Sequence, residues 1–248
     1  MLILALLFVA GLWAGTQNAL AGGGSFVTLP TLILAGLDAR AANITSTMAL
    51  FPAQVATGWA GRKMRSGAEH LSFRTLFIIS LIGGVAGALL LLATPASFFA
   101  KLVPWLVLFA TAIFAWGSFG RKKTADGAVS LSPIGAMMAQ FVIAIYGGYF
   151  GGGIGFLMLA ALTLAGLPVR PAAATKNVLA AVMNASAVVI FAFSRDVHWL
   201  QAVVLGAGGV VGGLLGAWLL SRVNERLLRI GVVILGVALT VGLFLHPS

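Results

Sequence analysis

Long stretches of this chain carry almost no charge, and that decides the solvent in which it folds. Apolar segments run approximately over 2–21, 26–37, 41–60, 72–93, 100–119, 132–150, 154–166, 173–193, 198–220 and 226–245. A helix needs roughly 20 apolar residues to cross a bilayer core of about 30 Å. Eight of these ten segments approach or reach that length. Only 8% of the 248 residues are charged and 60% are hydrophobic, whereas a soluble domain carries about 25% charged residues. The expected fold class is an all-α polytopic membrane protein embedded in a lipid bilayer.

Several kinds of chemistry drop out at once. The chain has no cysteine, which removes disulfides, thiolate metal sites and iron–sulfur clusters. His70, His198 and His246 are far apart and the five acids fall in or beside predicted loops, so no metal and no cofactor is expected. The net charge of +10 reads as basic loops facing anionic headgroups. No region outside the apolar segments is large enough for a nucleic-acid-binding module. An enzyme is not expected either, because no His/Asp/Glu cluster, Gly-x-Ser-x-Gly or Walker A sequence is present. Residues 1–21 end in Ala19-Leu20-Ala21 like a signal peptide but lack a positive start, and are read as retained structure.

Two segments, 26–37 and 154–166, are too short to cross comfortably, since about 12 residues rise only about 18 Å. Each directly follows a glycine triplet, Gly22–Gly24 or Gly151–Gly153. The triplets belong to an internal duplication. Leu34–Ser46 aligns with Leu164–Lys176 at an offset of 130, with 7 of 13 residues identical. Gly83–Leu90 aligns with Gly208–Leu215 at an offset of 125, with 6 of 8 identical. The expected organisation is repeat 1 over 1–120, a polar linker over 121–131 and repeat 2 over 132–248, within one membrane domain.

Charge distribution selects the orientation of the repeats. If the short segments merely continue the preceding helices, Lys and Arg split eight to seven across the membrane. If each short segment reverses direction, each half has five elements and the halves are inverted. Twelve cations then face inside, leaving only Arg40, Lys101 and Arg195 outside. The second arrangement fits the positive-inside rule and predicts five plus five segments, inverted, with both termini outside.

The motifs carrying this duplication resemble the sulfite exporter TauE/SafE family of membrane transporters. They are Gly22-Gly-Gly-Ser25, Gly36-Leu-Asp-Ala-Arg40 and Ala42-Asn-Ile-Thr-Ser46, echoed at Gly151-Gly-Gly153, Gly166-Leu-Pro-Val-Arg170 and Ala174-Thr-Lys-Asn177. The resemblance covers essentially the whole chain. It implies a multi-pass protein of the cytoplasmic (inner) membrane that moves sulfite or organic sulfonates.

The residues themselves point to an anion site. Backbone that leaves helical geometry at membrane depth survives only where it is buried in protein or lines a polar cavity. Gly/Pro-interrupted short segments at matching repeat positions are the sequence mark of a transporter's binding site. A helix starting at Ser25 or Ile154 directs free N–H groups and its positive dipole end toward the triplet, which suits an oxyanion. The candidate substrate-binding residues are Gly22, Gly23, Gly24, Ser25, Asn18, Asn43, Thr45, Ser46 and Gln54. In the second half they are Tyr149, Gly151, Gly152, Gly153, Thr175, Lys176, Asn177 and Asn184. For the glycines the competing reading is close helix packing, and for the Thr and Asn residues interhelical hydrogen bonding. Lys176 either meets substrate or snorkels to the inner interface. Arg40 and Arg170, at equivalent positions, are candidate gates or headgroup anchors at helix C-termini. Gly83-x-x-x-Gly87 and Gly208-x-x-x-Gly212 read as packing surfaces, within the chain or in a homodimer. The expectation is a secondary transporter for a small sulfur-containing oxyanion working by alternating access; the alternative is an anion channel or a facilitator for another small organic anion.

Overall fold

A computed structural model describes residues 1–20, 23–68, 71–120, 131–219 and 225–245. Gly22, the linker cations Arg121, Lys122 and Lys123, and Arg222 lie outside the described residues. The described residues form ten α-helices: α1 (Leu2–Leu20), α2 (Ser25–Leu34), α3 (Ala39–Gly61), α4 (Phe73–Ala93), α5 (Ala96–Ala115), α6 (Pro133–Tyr149), α7 (Ile154–Leu164), α8 (Val169–Phe191), α9 (Trp199–Leu219) and α10 (Glu225–Leu245). A π-helical turn, Trp116–Gly120, continues α5. No strand occurs among the described residues. Among the described residues four helical stretches are long and apolar enough to cross a membrane: Phe73–Ala93, Ala96–Phe119, Arg170–Phe191 and Trp199–Gly216. The protein is an all-helical, multi-pass membrane protein.

Local chemistry sets the helix starts. Asp38 caps α3, its carboxylate accepting from the N–H groups of Arg40 at 3.0 Å and Ala41 at 3.1 Å. Ser72 caps α4 and Ser132 caps α6 in the same way, each satisfying a donor that a helix leaves unpaired. The segment predicted to begin at 100 begins at Ala96, because Pro95 supplies the residue before the first turn with its fixed φ. The two short helices end alike. Gly36 and Gly166 hold φ of +94° and +92°, and the following Leu37 and Leu167 donate back to Leu32 and Leu162, closing the same glycine turn.

Packing exchanges partners between the two predicted halves. α1 lies along α9, and α6 lies along α4, so the first helix of each half rests on the fourth helix of the other. Glycines make both contacts possible. A Cβ on Gly15 would overlap the Gly209 carbonyl, and one on Gly208 or Gly212 would strike the backbone of α1. On the other side, Gly83, Gly84 and Gly87 meet α6 and α8 at backbone or Cβ distance. Small residues that let backbones approach are the usual adhesive between membrane helices. Thr16 donates to the Gly212 carbonyl at 2.9 Å and Gln140 to Ser80 at 2.8 Å, one polar tie in each interface. The expected glycine packing surfaces are thus used within the chain.

Contact registers give the helix directions. Gly58 of α3 sits against Asn177 and Val178 of α8, and Gly61 against Ala174, so these two helices cross antiparallel. α1 and α9 run parallel, with Gly11 near Leu205 and Gly15 near Gly209. α4 and α6 also run parallel, with Gly83 near Ala144 and Gly87 near Gly148. Aromatic rings seal the ends of the short helices: Phe114 stands edge-on between Phe26 of α2 and Phe156 of α7, at centroid distances of 6.3 and 4.4 Å.

Candidate functional site

Both glycine breaks open onto one cavity of about 300 Å³. Gly23 and Ser25 line it from the first break, and Gly151, Gly153, Ile154 and Gly155 from the second. The breaks need glycine for a conformational reason. Gly23, Gly151 and Gly153 have φ of +82°, +79° and +74°, a region that side chains with a Cβ rarely enter. Neither α2 nor α7 has a side chain capping its first turn. The N-terminal dipole ends of both short helices therefore lie at the cavity wall without an internal anion to compensate them.

The carbonyls freed at the breaks are tied by amide side chains. Gln17 Nε2 donates to the Gly23 carbonyl at 2.9 Å, and Gln17 Oε1 in turn accepts from Trp13 at 3.0 Å. Asn43 Nδ2 donates to the Tyr149 carbonyl at 3.0 Å. Unwound backbone at membrane depth is tolerated only with such partners. Asn43 is thus a buried strut for the second break and does not line the cavity.

The long walls come from α3 and α8. Ser46, Leu50 and Gln54 form an i, i+4, i+8 stripe on α3 with Thr47 and Thr57 beside it. Lys176, Ala180 and Asn184 form the matching stripe on α8 with Asn177 beside it. Residues at this spacing share one helix face. At the crossing of the two helices Asn184 Nδ2 donates to Gln54 Oε1 at 2.7 Å. Asn18, Phe150, Phe156 and Leu159 complete the lining.

Of the residues singled out in the sequence, Asn18, Gly23, Ser25, Ser46, Gln54, Gly151, Gly153, Lys176, Asn177 and Asn184 line this cavity. Gly24, Gly152, Tyr149, Thr45 and Thr175 do not. The two threonines perform a duplicated structural task. Thr45 Oγ1 accepts from the His198 N–H at 3.2 Å, and Thr175 Oγ1 accepts from the Ser66 N–H at 3.0 Å. Each pins its helix to a loop of the other half. Tyr149 points away, its hydroxyl 3.4 Å from Thr94 Oγ1. Leu50, Thr57, Gly155, Phe156 and Ala180 are lining residues that motif reading passes over. Extending the aligned block by two helical turns would have reached Leu50 and Ala180.

Arg40 and Arg170 stand in the first turns of α3 and α8 rather than at helix C-termini. A cation there opposes the helix dipole. Arg40 is compensated by an ion pair to Asp196 in the α8–α9 loop at 3.0 Å, and it donates to the Thr94 carbonyl at 2.8 Å. That is the only ion pair among the described residues. Arg170 is exposed. Among the described residues Lys176 is the sole ionisable residue of the cavity lining, and it has no carboxylate partner there.

Comparison with known proteins agrees in class. A family model described as sulfite exporter TauE/SafE matches residues 7–243. The chain is 29% identical over 244 residues to a probable membrane transporter protein of Haemophilus influenzae, covering 96% of this chain and 93% of that protein. It is 30% identical over 253 residues to the probable membrane transporter protein ORF9 of a Sinorhizobium species, covering 99% and 94%. Over 247 residues it is 28% identical to the probable membrane transporter protein YfcA of Escherichia coli, covering 96% and 88%.

Proposed function

The chain belongs to the sulfite exporter TauE/SafE family, and on that premise we propose that it is a secondary transporter for a small sulfur-containing oxyanion, sulfite or an organic sulfonate. The observation carrying this reading is the composition of the cavity. Among the described residues, two uncapped helix N-termini, a lysine without a carboxylate partner and a set of neutral donors converge on it, and no acid lines it. Such a lining favours an anion over a cation.

We infer further that the chain works by alternating access of two inverted repeats, 1–120 and 132–248, around this cavity, in the cytoplasmic (inner) membrane with both termini outside. The crossing of α3 and α8 supports inversion. They are equivalent segments of the duplication, yet they run antiparallel, as an axis lying in the membrane plane demands. The Arg40–Asp196 pair holds the start of α3 to the α8–α9 loop, which suits a gate on one side of the cavity. Arg170 is assigned the equivalent role on the other.

Flux of sulfite, methanesulfonate, sulfate and acetate from proteoliposomes of the purified chain tests the reading. Sulfite or methanesulfonate should move and acetate should not. Movement of carboxylates alone would overturn the sulfur-anion assignment, and unitary currents in a planar bilayer would replace the carrier with a channel.

A further inference from the structure

The duplication pairs the cavity walls residue by residue at an offset of 130: Ser46 with Lys176, Thr47 with Asn177, Leu50 with Ala180 and Gln54 with Asn184, all lining residues. Three of these pairs are uncharged on both sides, and the first is not. Ser46 is buried and shares a hydrogen bond with Thr28 of α2. Lys176 reaches over Gly155 in the first turn of α7, where a Cβ would stand 3.6 Å from Nζ. A nearly two-fold cavity is therefore polarised by a single positive charge at the α7 end.

Size and charge together restrict the ligand. A cavity of about 300 Å³ stands at the lower bound of small-molecule sites, about 300–1,000 Å³, which suits a small organic anion. The lysine stripe extends from Lys176 to Asn184, eight residues or about 12 Å along α8. Along it lie Ala180 and then the Gln54–Asn184 amide pair. A second negative charge at that far end would meet amides and no cation, and a buried charge without a partner is heavily penalised.

We propose that the cavity selects a singly charged organic anion, its sulfonate head at Lys176 and the α7 N-terminus and its uncharged tail directed along Ala180 toward Gln54 and Asn184. This rests on the cavity being the transport site. Lys176 is then the residue that sets the valence of the substrate, its ammonium resting over Gly155 in the first turn of α7.

The test compares ethanesulfonate with ethanedisulfonate, which share a carbon frame and differ by one charge, by calorimetric titration of the purified full chain at matched ionic strength. Ethanesulfonate should bind the unmodified protein about tenfold tighter or more than the disulfonate. Lys176→Gln should weaken ethanesulfonate by about tenfold or more while Lys176→Arg retains most of the binding. A preference for the disulfonate, or unchanged ethanesulfonate binding in a folded Lys176→Gln, overturns the charge assignment while leaving sulfite flux intact. Binding of neither anion, together with absent flux, overturns the transport site itself. The comparison on unmodified protein decides the matter even where the variants fail to fold.

Discussion

Asn184 donates a 2.7 Å hydrogen bond to Gln54, the residue that occupies its own position one repeat earlier. On the proposed inverted relation of the repeats, two equivalent side chains meet at the axis relating them, and this bond would mark the middle of the cavity wall. Its two members have unequal surroundings: Asn184 is buried with its Oδ1 unpaired, and Gln54 is half-buried.

Removing the pair should separate stability from flux. Hydrogen bonds between membrane helices contribute about 0.6 kcal/mol on average, so Gln54→Leu and Asn184→Leu should shift the unfolding midpoint in detergent only slightly. Flux in proteoliposomes should fall by about tenfold. Normal flux in both variants would reduce the pair to packing.

Backbone conformation at the second break should be equally exacting. Gly153→Ala places a methyl at φ +74° and against Ala110, and the left-handed region costs a non-glycine residue about 1–2 kcal/mol. Anion binding should weaken accordingly, and titration of the purified variant checks it.

The α1–α9 interface predicts a contrast between a glycine inside the contact and one outside it. Gly15→Val forces a side chain into the backbone of α9 and should destabilise by about 3 kcal/mol. Gly213→Ala meets nothing within 4 Å and should stay within about 0.5 kcal/mol of the parent. Thermal unfolding of the two variants decides.

At the α3 start, Arg40 and Asp196 are 20% and 25% exposed. A pair so placed contributes about 1 kcal/mol or less. As a gate it biases two states by about fivefold. Asp196→Asn should raise the labelling rate of Gln54→Cys from outside by about that factor, and exchanging the two charges should reverse most of it. An unchanged rate would leave the pair a local brace.

The absence of native cysteine makes the topology directly measurable. Lys63→Cys and Arg170→Cys should react from the cytoplasmic side, and Lys101→Cys and Arg195→Cys from the other. Reaction of Lys63→Cys and Arg195→Cys from one side would dismiss the inverted arrangement.

Much of this architecture was legible in the sequence because the bilayer enforces it. Apolar runs must become helices, and the two runs too short to span became α2 and α7, each opening at its glycines. Polar residues were harder to assign. Asn43, Thr45 and Thr175 look like ligand donors in sequence, yet each is spent on backbone groups across the interface, and a sequence does not reveal which carbonyl lies opposite. Leu50 and Ala180 were overlooked for the converse reason, since nothing in an aliphatic side chain announces a cavity. Asp196 escaped as the partner of Arg40 because 156 residues separate them.

The exchange of partners between α1 and α9 also has a history in time. Gly11 and Gly209 meet in the finished protein, but 198 residues separate them along the chain. At 5–20 residues per second of synthesis, α1 waits roughly 10–40 seconds before its partner exists. During that interval the groove of Gly11 and Gly15 is open to lipid, or to the α1 of another nascent chain. Correct assembly of this protein is therefore a race between ribosome and membrane, begun when α1 is made and ended when α9 is.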